Sequence, residues 1–166
     1  LVRLDGFDNL RRIGEGLRLE RNNQLQVLDG FPQLESLRRL ELRNSSLTSI
    51  RDFGVENIED GIILENNPML VSIDGFSRLS YTRELMIRQN SELVSIRGFN
   101  ALTSVENLFF EQNEKLSEIS GFQSLRNIRH AHLRANHELT GLDIFPALTQ
   151  ADSISIEDNQ ELLDID

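Results

Sequence analysis

The stretch that decides the fold is NPMLVSIDGF at residues 67–76, which recurs as NSELVSIRGF at residues 90–99. The two copies define a 23-residue period, a repeat length typical of solenoid proteins. The same period extends along the chain, so the sequence predicts one solenoid domain over residues 1–166, with about seven 23-residue turns. An asparagine marks each turn, and only the first interval is one residue shorter than this period: Asn22, Asn44, Asn67, Asn90, Asn113, Asn136 and Asn159.

Apolar residues repeat in phase with these asparagines. Leucine stands three residues later, Leu or Ile six residues later, and Phe nine residues later. We expect the phenylalanines to stack as a spine inside the solenoid, because large aromatic rings at one repeat position can fill its wide side. Seven of the nine phenylalanines of the chain share this position: Phe7, Phe31, Phe53, Phe76, Phe99, Phe122 and Phe145.

A Leu-x-Leu step in each turn, such as Leu40 and Leu42, has the period of two that predicts a short strand with both side chains inward. One strand per turn, stacked on its neighbours, gives a parallel in-register sheet along one side. The other apolar positions step by three, which favours short extended or 3₁₀ segments on the remaining sides. The predicted fold class is therefore a β-rich, right-handed solenoid with one parallel β-sheet and little α-helix.

The apolar pattern breaks once, where Asp52 replaces the glycine and two glutamates fall at core positions. Val55 and Ile58 stand one residue early, so we expect them to turn inward in a local register slip. The turn before Asn44 is one residue short, and the first turn has an extra residue near Gly14–Gly16. Such irregularities indicate local bulges, or loops lifted out for binding.

These repeats resemble those of the leucine-rich-repeat superfamily, over essentially the whole chain. Within it, NPMLVSIDGF and NSELVSIRGF are similar to the receptor L-domain repeats of growth-factor-receptor ectodomains and microbial surface proteins. A second resemblance is to internalin-type and phosphatase-regulator repeats, which have N-x-L where this chain has N-x-x-L. The resemblance implies a surface recognition module, at an extracellular or cell-surface location, with a cytoplasmic location as the alternative. Receptor L-domains carry capping cysteines, and this chain has none.

Composition argues against several classes of function. The net charge of −10 repels phosphate backbones and anionic lipid, so we expect no nucleic-acid partner and no direct membrane insertion. No apolar run approaches the roughly 18–20 residues of a membrane span. The chain has no cysteine, no nucleophile elbow and no glycine-rich phosphate loop, and its carboxylates alternate with arginines. The sequence therefore predicts neither an enzyme nor a cofactor-binding protein.

The residues between the two inward positions of each Leu-x-Leu step face outward on the predicted sheet, where solenoids usually bind ligands. Three of them in successive strands, Ile63, Met86 and Phe109, form an expected exposed apolar stripe. It represents either packing between neighbours on the sheet or the apolar centre of an interface for a protein or glycan partner. The whole column, here called the central column, is Arg18, Glu41, Ile63, Met86, Phe109, His132 and Ser155.

The next outward column alternates in sign without exception and predicts a charge ladder that stabilises the register of the turns. Arg88 and Glu111 of this column flank the stripe and belong to the predicted partner-binding set, together with His130 and His132. Both histidines are expected on the sheet face, within reach of Glu111 and Glu157. A zinc site at His-x-His is the less favoured interpretation, and we predict no metal. The column, here called the Glu20 ladder, is Glu20, Arg43, Glu65, Arg88, Glu111, Arg134 and Glu157.

The seven asparagines are predicted to point inward and to hydrogen-bond backbone groups of the adjoining turn, forming a structural ladder. On this interpretation the sequon Asn44-Ser45-Ser46 is not glycosylated, because modification of an inward Asn44 disrupts the turn.

The leading functional hypothesis is a macromolecular recognition module that binds a protein or glycan on the sheet face. The alternative is a structural spacer or a solenoid that self-associates end to end. Leu1 and Leu162 share one repeat position and neither end has a polar cap, so we expect the parent chain to continue or the ends to meet other copies.

Overall fold

The structure, a computed structural model, describes residues 3–4, 6–51, 53–141 and 144–163. Over these residues the chain is a β-rich solenoid with two parallel sheets and no helix. The larger sheet has seven strands in chain order: β1 (Arg12–Glu20), β3 (Ser36–Arg43), β5 (Asn57–Glu65), β7 (Tyr81–Arg88), β9 (Ser104–Glu111), β11 (Asn127–Arg134) and β12 (Gln150–Glu157).

The sequence predicted one sheet, and the structure has a second. In the five turns that begin at Asn22, Asn44, Asn67, Asn90 and Asn113, the Leu or Ile about six residues after the asparagine lies in a two-residue strand, and these strands pair in parallel and in register. The smaller sheet has five strands: β2 (Val27–Leu28), β4 (Ser49–Ile50), β6 (Ser72–Ile73), β8 (Ser95–Ile96) and β10 (Glu118–Ile119). Two sheets therefore line the sides of the solenoid.

The core lies between the two sheets, and the phenylalanine spine fills its wide side. Phe31, Phe53, Phe76, Phe99 and Phe122 are buried, and neighbouring ring centroids are 5.2–5.6 Å apart. These distances are within the range for stacked and edge-to-face aromatic pairs, which add to the stabilisation from burial alone.

Glycine before a spine phenylalanine allows close approach between turns at Gly30, Gly75, Gly98 and Gly121. A Cβ on Gly98 would lie 2.8–3.0 Å from backbone atoms of Asp74, Gly75 and Phe76 in the preceding turn. Because those atoms belong to the backbone, they cannot move away as a flexible side chain could. Any larger residue at position 98 therefore separates the two turns.

The expected register slip in the third turn is confirmed. Val55 and Ile58 are buried with no exposed surface, and Glu59 is exposed. The slip shortens this part of the turn by one residue, and a bulge between Ile58 and Gly61 in β5 restores the register with β7. The extra residue of the first turn is likewise a bulge, between Ile13 and Gly16 in β1. Asp52 lies outside the described residues.

The prediction for Asn44 is wrong. Ser45, not Asn44, occupies the inward position: its amide donates to Asn67 Oδ1 at 3.1 Å, and its Oγ accepts from the Asn22 amide at 3.2 Å. Asn44 instead sits at the preceding corner with a φ of 52°, and its Oδ1 accepts from Asn66 at 2.7 Å. The missing residue of the short turn falls after Ser45, which displaces the two positions by one.

Candidate recognition surface

The eight-residue strands of the larger sheet present four outward positions after the first residue, and the bulges of β1 and β5 add a fifth. In β7 these are Arg83, Glu84, Met86 and Arg88, while Thr82, Leu85 and Ile87 are buried against the core. The pairing register carries the positions of Glu84, Met86 and Arg88 across all seven strands, and ion pairs connect neighbours at the position of Arg83. Outward residues therefore form columns perpendicular to the strands. The outer face is therefore a grid of columns, with the central column near its middle.

The apolar stripe of the central column is narrower than the sequence predicted. Met86 and Phe109 are half-buried on the outer face, but Ile63 is only 4% exposed and is not part of the contiguous core. Ile63 pairs in register with Glu41 and Met86, and packing between such neighbours on one face accounts for its burial. The prediction that Ile63 is exposed is wrong, and the accessible apolar surface is the Met86–Phe109 pair.

His132 extends this surface. Its ring meets Phe109 edge-on, with centroids 6.4 Å apart, and its Nδ1 lies 2.9 Å from Glu111 Oε1. Its Nε2 lies 3.8 Å from Glu157 Oε1, so the two expected carboxylates contact this one ring. His130 is exposed in the neighbouring column, in register with Asn107. The structure thus joins His132 to the apolar pair and leaves His130 beside it.

A second alternating ladder, which the sequence reasoning missed, borders the other side of the face. Its ion pairs include Arg38 Nε to Asp60 at 2.9 Å and Arg129 Nε to Asp152 at 3.4 Å, and Arg83 lies between Asp60 and Glu106. The column, here called the Glu15 ladder, is Glu15, Arg38, Asp60, Arg83, Glu106, Arg129 and Asp152.

The Glu20 ladder is most tightly paired in its middle. Glu65 lies between two arginines, 2.9 Å from Arg43 and 2.6 Å from Arg88. Near the ends, partners come from other columns: Arg134 pairs with Asp158, and Arg18 donates to Glu20. The hydrogen bond from Arg18 lowers the pKa of Glu20, because it favours the charged carboxylate.

An open depression of about 750 Å³ lies on the same face. Gly16 contributes no side chain to its wall, and the neighbouring Arg39 reaches Glu41 at 3.3 Å and Glu84 at 3.4 Å. Its walls carry arginines and carboxylates already paired with one another, so it is a polar hollow of mixed charge.

The face is thus a half-buried apolar centre with His132, a polar hollow, and two borders of alternating charge. Within the described ranges, no group of three or more His, Asp or Glu side chains is placed to hold a metal ion. The same ranges contain no helix that is long and apolar enough to span a membrane.

Comparison of the chain with protein families, curated proteins and solved structures found no match.

Proposed function

We propose that this chain is a right-handed leucine-rich-repeat solenoid of the receptor L-domain type, and that it binds a protein partner through the outer face of its larger sheet. The resemblance of its repeats supports the family, and with it an extracellular or cell-surface location. The proposed role is binding without catalysis. A glycan partner is the alternative for the same face.

The observation that carries this proposal is the Met86–Phe109 pair at the middle of the outer face. Both side chains stay partly accessible although the solenoid has a complete core without them. Partly accessible apolar side chains with a charged surround are typical of the centre and rim of a protein interface. His132, in edge contact with Phe109, adds a polar ring that can donate or accept at the same place.

The test compares two double variants in a capture experiment with the immobilised solenoid. Met86→Glu with Phe109→Glu should abolish capture of the partner and leave the melting temperature nearly unchanged, because neither residue lies in the contiguous core. The matched control is Val71→Glu with Val94→Glu, which changes two exposed apolar residues beside the smaller sheet by the same charge. Equal loss of capture in both variants, or a large fall in melting temperature for the first, would contradict the proposal.

A further inference from the structure

We propose that the partner of the outer face is a second copy of this chain, bound face to face about a two-fold axis that runs parallel to the strands and midway between β7 and β9. This inference rests on the proposed function, since it uses the same face and names its partner.

The first observation is that both borders of the face alternate in sign along all seven strands. The Glu15 ladder and the Glu20 ladder are acidic on β1, β5, β9 and β12 and basic on β3, β7 and β11. A surface with this pattern is complementary to itself when it is displaced by one strand. A copy of the chain is therefore a partner with the matching charge pattern.

The second observation is the phase of the two ladders. Arg83 and Arg88 lie on one strand, five residues or roughly 16 Å apart at about 3.3 Å per residue, beyond the screening length of about 8–10 Å. No interaction within the chain therefore needs the ladders to be in phase. Between copies the phase matters, because a two-fold axis along the solenoid would place one ladder on the other with like charges facing.

The proposed axis brings opposite charges together at every position. It pairs β7 with β9 of the second copy, β5 with β11, and β3 with β12. Arg88 then faces Glu111 and Arg83 faces Glu106, and the same holds for the outer pairs of both ladders. An axis through the middle of a single strand would instead pair strands of the same sign.

The apolar centre is consistent with the same axis. The axis passes between Met86 and Phe109, which pair in register on adjacent strands. Each therefore faces the other residue of the second copy, and Ile63 faces His132. Thioether–aromatic contacts of this kind are favourable, and the central position is where interfaces concentrate their binding energy.

The size of the face is sufficient for a dimer. Six paired strands at about 4.8 Å and eight residues at about 3.3 Å give a projected area of ~750 Å² per copy. Specific interfaces bury about 800 Å² per partner. In each ladder the six paired strands contribute three arginines and three carboxylates, so the net charge of −10 does not oppose contact through these borders.

The experiment measures self-association of the purified chain by sedimentation velocity over a wide range of concentrations. We expect a monomer–dimer equilibrium for the parent chain. Arg83→Glu and Glu106→Arg should each weaken the dimer by at least about tenfold, because like charges then face each other twice in every homodimer. Each change also puts three like charges on consecutive strands of its own chain, so the melting temperature should fall somewhat at low salt. Sedimentation is therefore measured at a temperature where melting curves show both variants to be folded.

Mixing the two variants is the decisive step. In the mixed dimer the glutamate introduced at position 83 of one variant faces the arginine introduced at position 106 of the other. The unchanged Glu106 and Arg83 face each other at the second contact, so association should return to the parent level.

Arg97→Glu is the matched control, since Arg97 is similarly exposed and ion-paired but follows β8 of the smaller sheet. This variant should dimerise like the parent. If either inner variant fails to fold, the single variants Arg38→Glu and Asp152→Arg test the same axis with exposed residues of β3 and β12. Each should weaken the homodimer, and their mixture should restore it.

Four outcomes overturn the inference: a parent chain that stays monomeric, single variants that dimerise like the parent, a mixture that does not recover, or assemblies larger than dimers. One combination of results overturns self-association alone and leaves the proposed function in place. In it the parent chain is monomeric and captures a different protein, and the variant with both Met86→Glu and Phe109→Glu does not capture that protein.

Discussion

At the scale of single residues, Asn90 of the asparagine ladder uses every polar atom of its side chain. Asn90 Nδ2 donates to the carbonyl oxygens of Leu64 and Arg88, each at 3.0 Å, and its Oδ1 accepts from the Asn67 amide at 3.0 Å. Asn90 has no exposed surface, so water cannot replace these bonds. One amide therefore satisfies backbone groups of its own turn and of the turn before it.

Replacing Asn90 or Asn113 with Leu should lower the free energy of unfolding by about 1–3 kcal/mol for each buried group left unpaired. Asn159 is only partly buried, so Asn159→Leu should cost distinctly less. Denaturant midpoints of the three variants measure this order. If all three stay within about 0.5 kcal/mol of the parent, the ladder does not stabilise the solenoid.

The corrected position of Asn44 has its own consequence. Asn44 adopts a φ of 52°, in the left-handed region that glycine occupies without strain, and it lies outside the ladder. Asn44→Gly should therefore leave stability nearly unchanged, whereas Asn67→Gly removes buried hydrogen bonds and should cost about 1–3 kcal/mol. Thermal unfolding compares the two variants directly. A larger loss for Asn44→Gly would mean that Asn44, not Ser45, occupies the ladder.

The sequence predicted the ladder itself but not the exception at Ser45. Residue identity aligned Asn44 with the other asparagines, although Ser45 follows Asn22 by one full period and Asn44 falls one residue short of it. The error also hid the Glu15 ladder. Each member of the Glu15 ladder stands seven residues before a residue of the asparagine ladder. Counting back seven residues from Asn44 reaches Leu37, whereas counting back from Ser45 reaches Arg38.

At the scale of elements, the Leu-x-Leu step identified each strand but not its length. The strands of the larger sheet are eight or nine residues long, because an earlier inward residue such as Val105 or Ile128 also belongs to the strand. Two outward residues separate this earlier inward residue from the Leu-x-Leu pair. The resulting spacing of three residues favoured a short extended or 3₁₀ segment over a continuation of the strand. The two-residue strands of the smaller sheet were missed since two residues carry no detectable period.

The corners after the long strands were also beyond the sequence pattern. In every turn the residue after the last strand position has a φ of 51–57°, yet no glycine stands there. Arg21, Gln89 and Ala135 are not residues that favour this conformation, so the stacking of neighbouring turns imposes it. On the outer face, the outward direction of Met86 and Phe109 followed from the period of two. The burial of Ile63 did not, because it depends on packing across strands.

The Glu20 ladder gives a prediction for the larger sheet as an element. Arg88→Glu would place three carboxylates on consecutive strands, with Glu65 and Glu111 on either side. The free energy of unfolding should fall by roughly 1–2 kcal/mol at low salt, and added salt should restore much of the loss. Denaturation at several salt concentrations tests this. A loss that does not respond to salt would mean that charge repulsion is not its cause.

At the scale of the whole molecule, the solenoid has two periods. The asparagine ladder, the phenylalanine spine and both sheets repeat with every turn. The Glu15 and Glu20 ladders repeat only after two turns, because their signs alternate. The structural repeat is thus one turn and the electrostatic repeat is two turns, so removing one turn and removing two turns have different consequences.

Deleting residues 91–113 removes one turn and keeps the asparagine register, but it puts Arg88 beside Arg134 and Arg83 beside Arg129. Deleting residues 68–113 removes two turns and restores alternation, with Glu65 beside Arg134 and Asp60 beside Arg129. Stability should fall with the number of turns removed, since each turn contacts only its neighbours. The chain that lacks two turns should therefore be less stable than the chain that lacks one.

The response to salt should not follow that order. In the chain that lacks one turn, like charges are adjacent in both ladders, so added salt should raise its melting temperature more than that of the parent chain. In the chain that lacks two turns, every neighbouring pair is again attractive, and its salt response should match that of the parent. Melting temperatures of the three chains from low to high salt provide the measurement. A salt response that changes steadily with the number of turns would show that chain length, rather than alternation, governs the electrostatics of the solenoid.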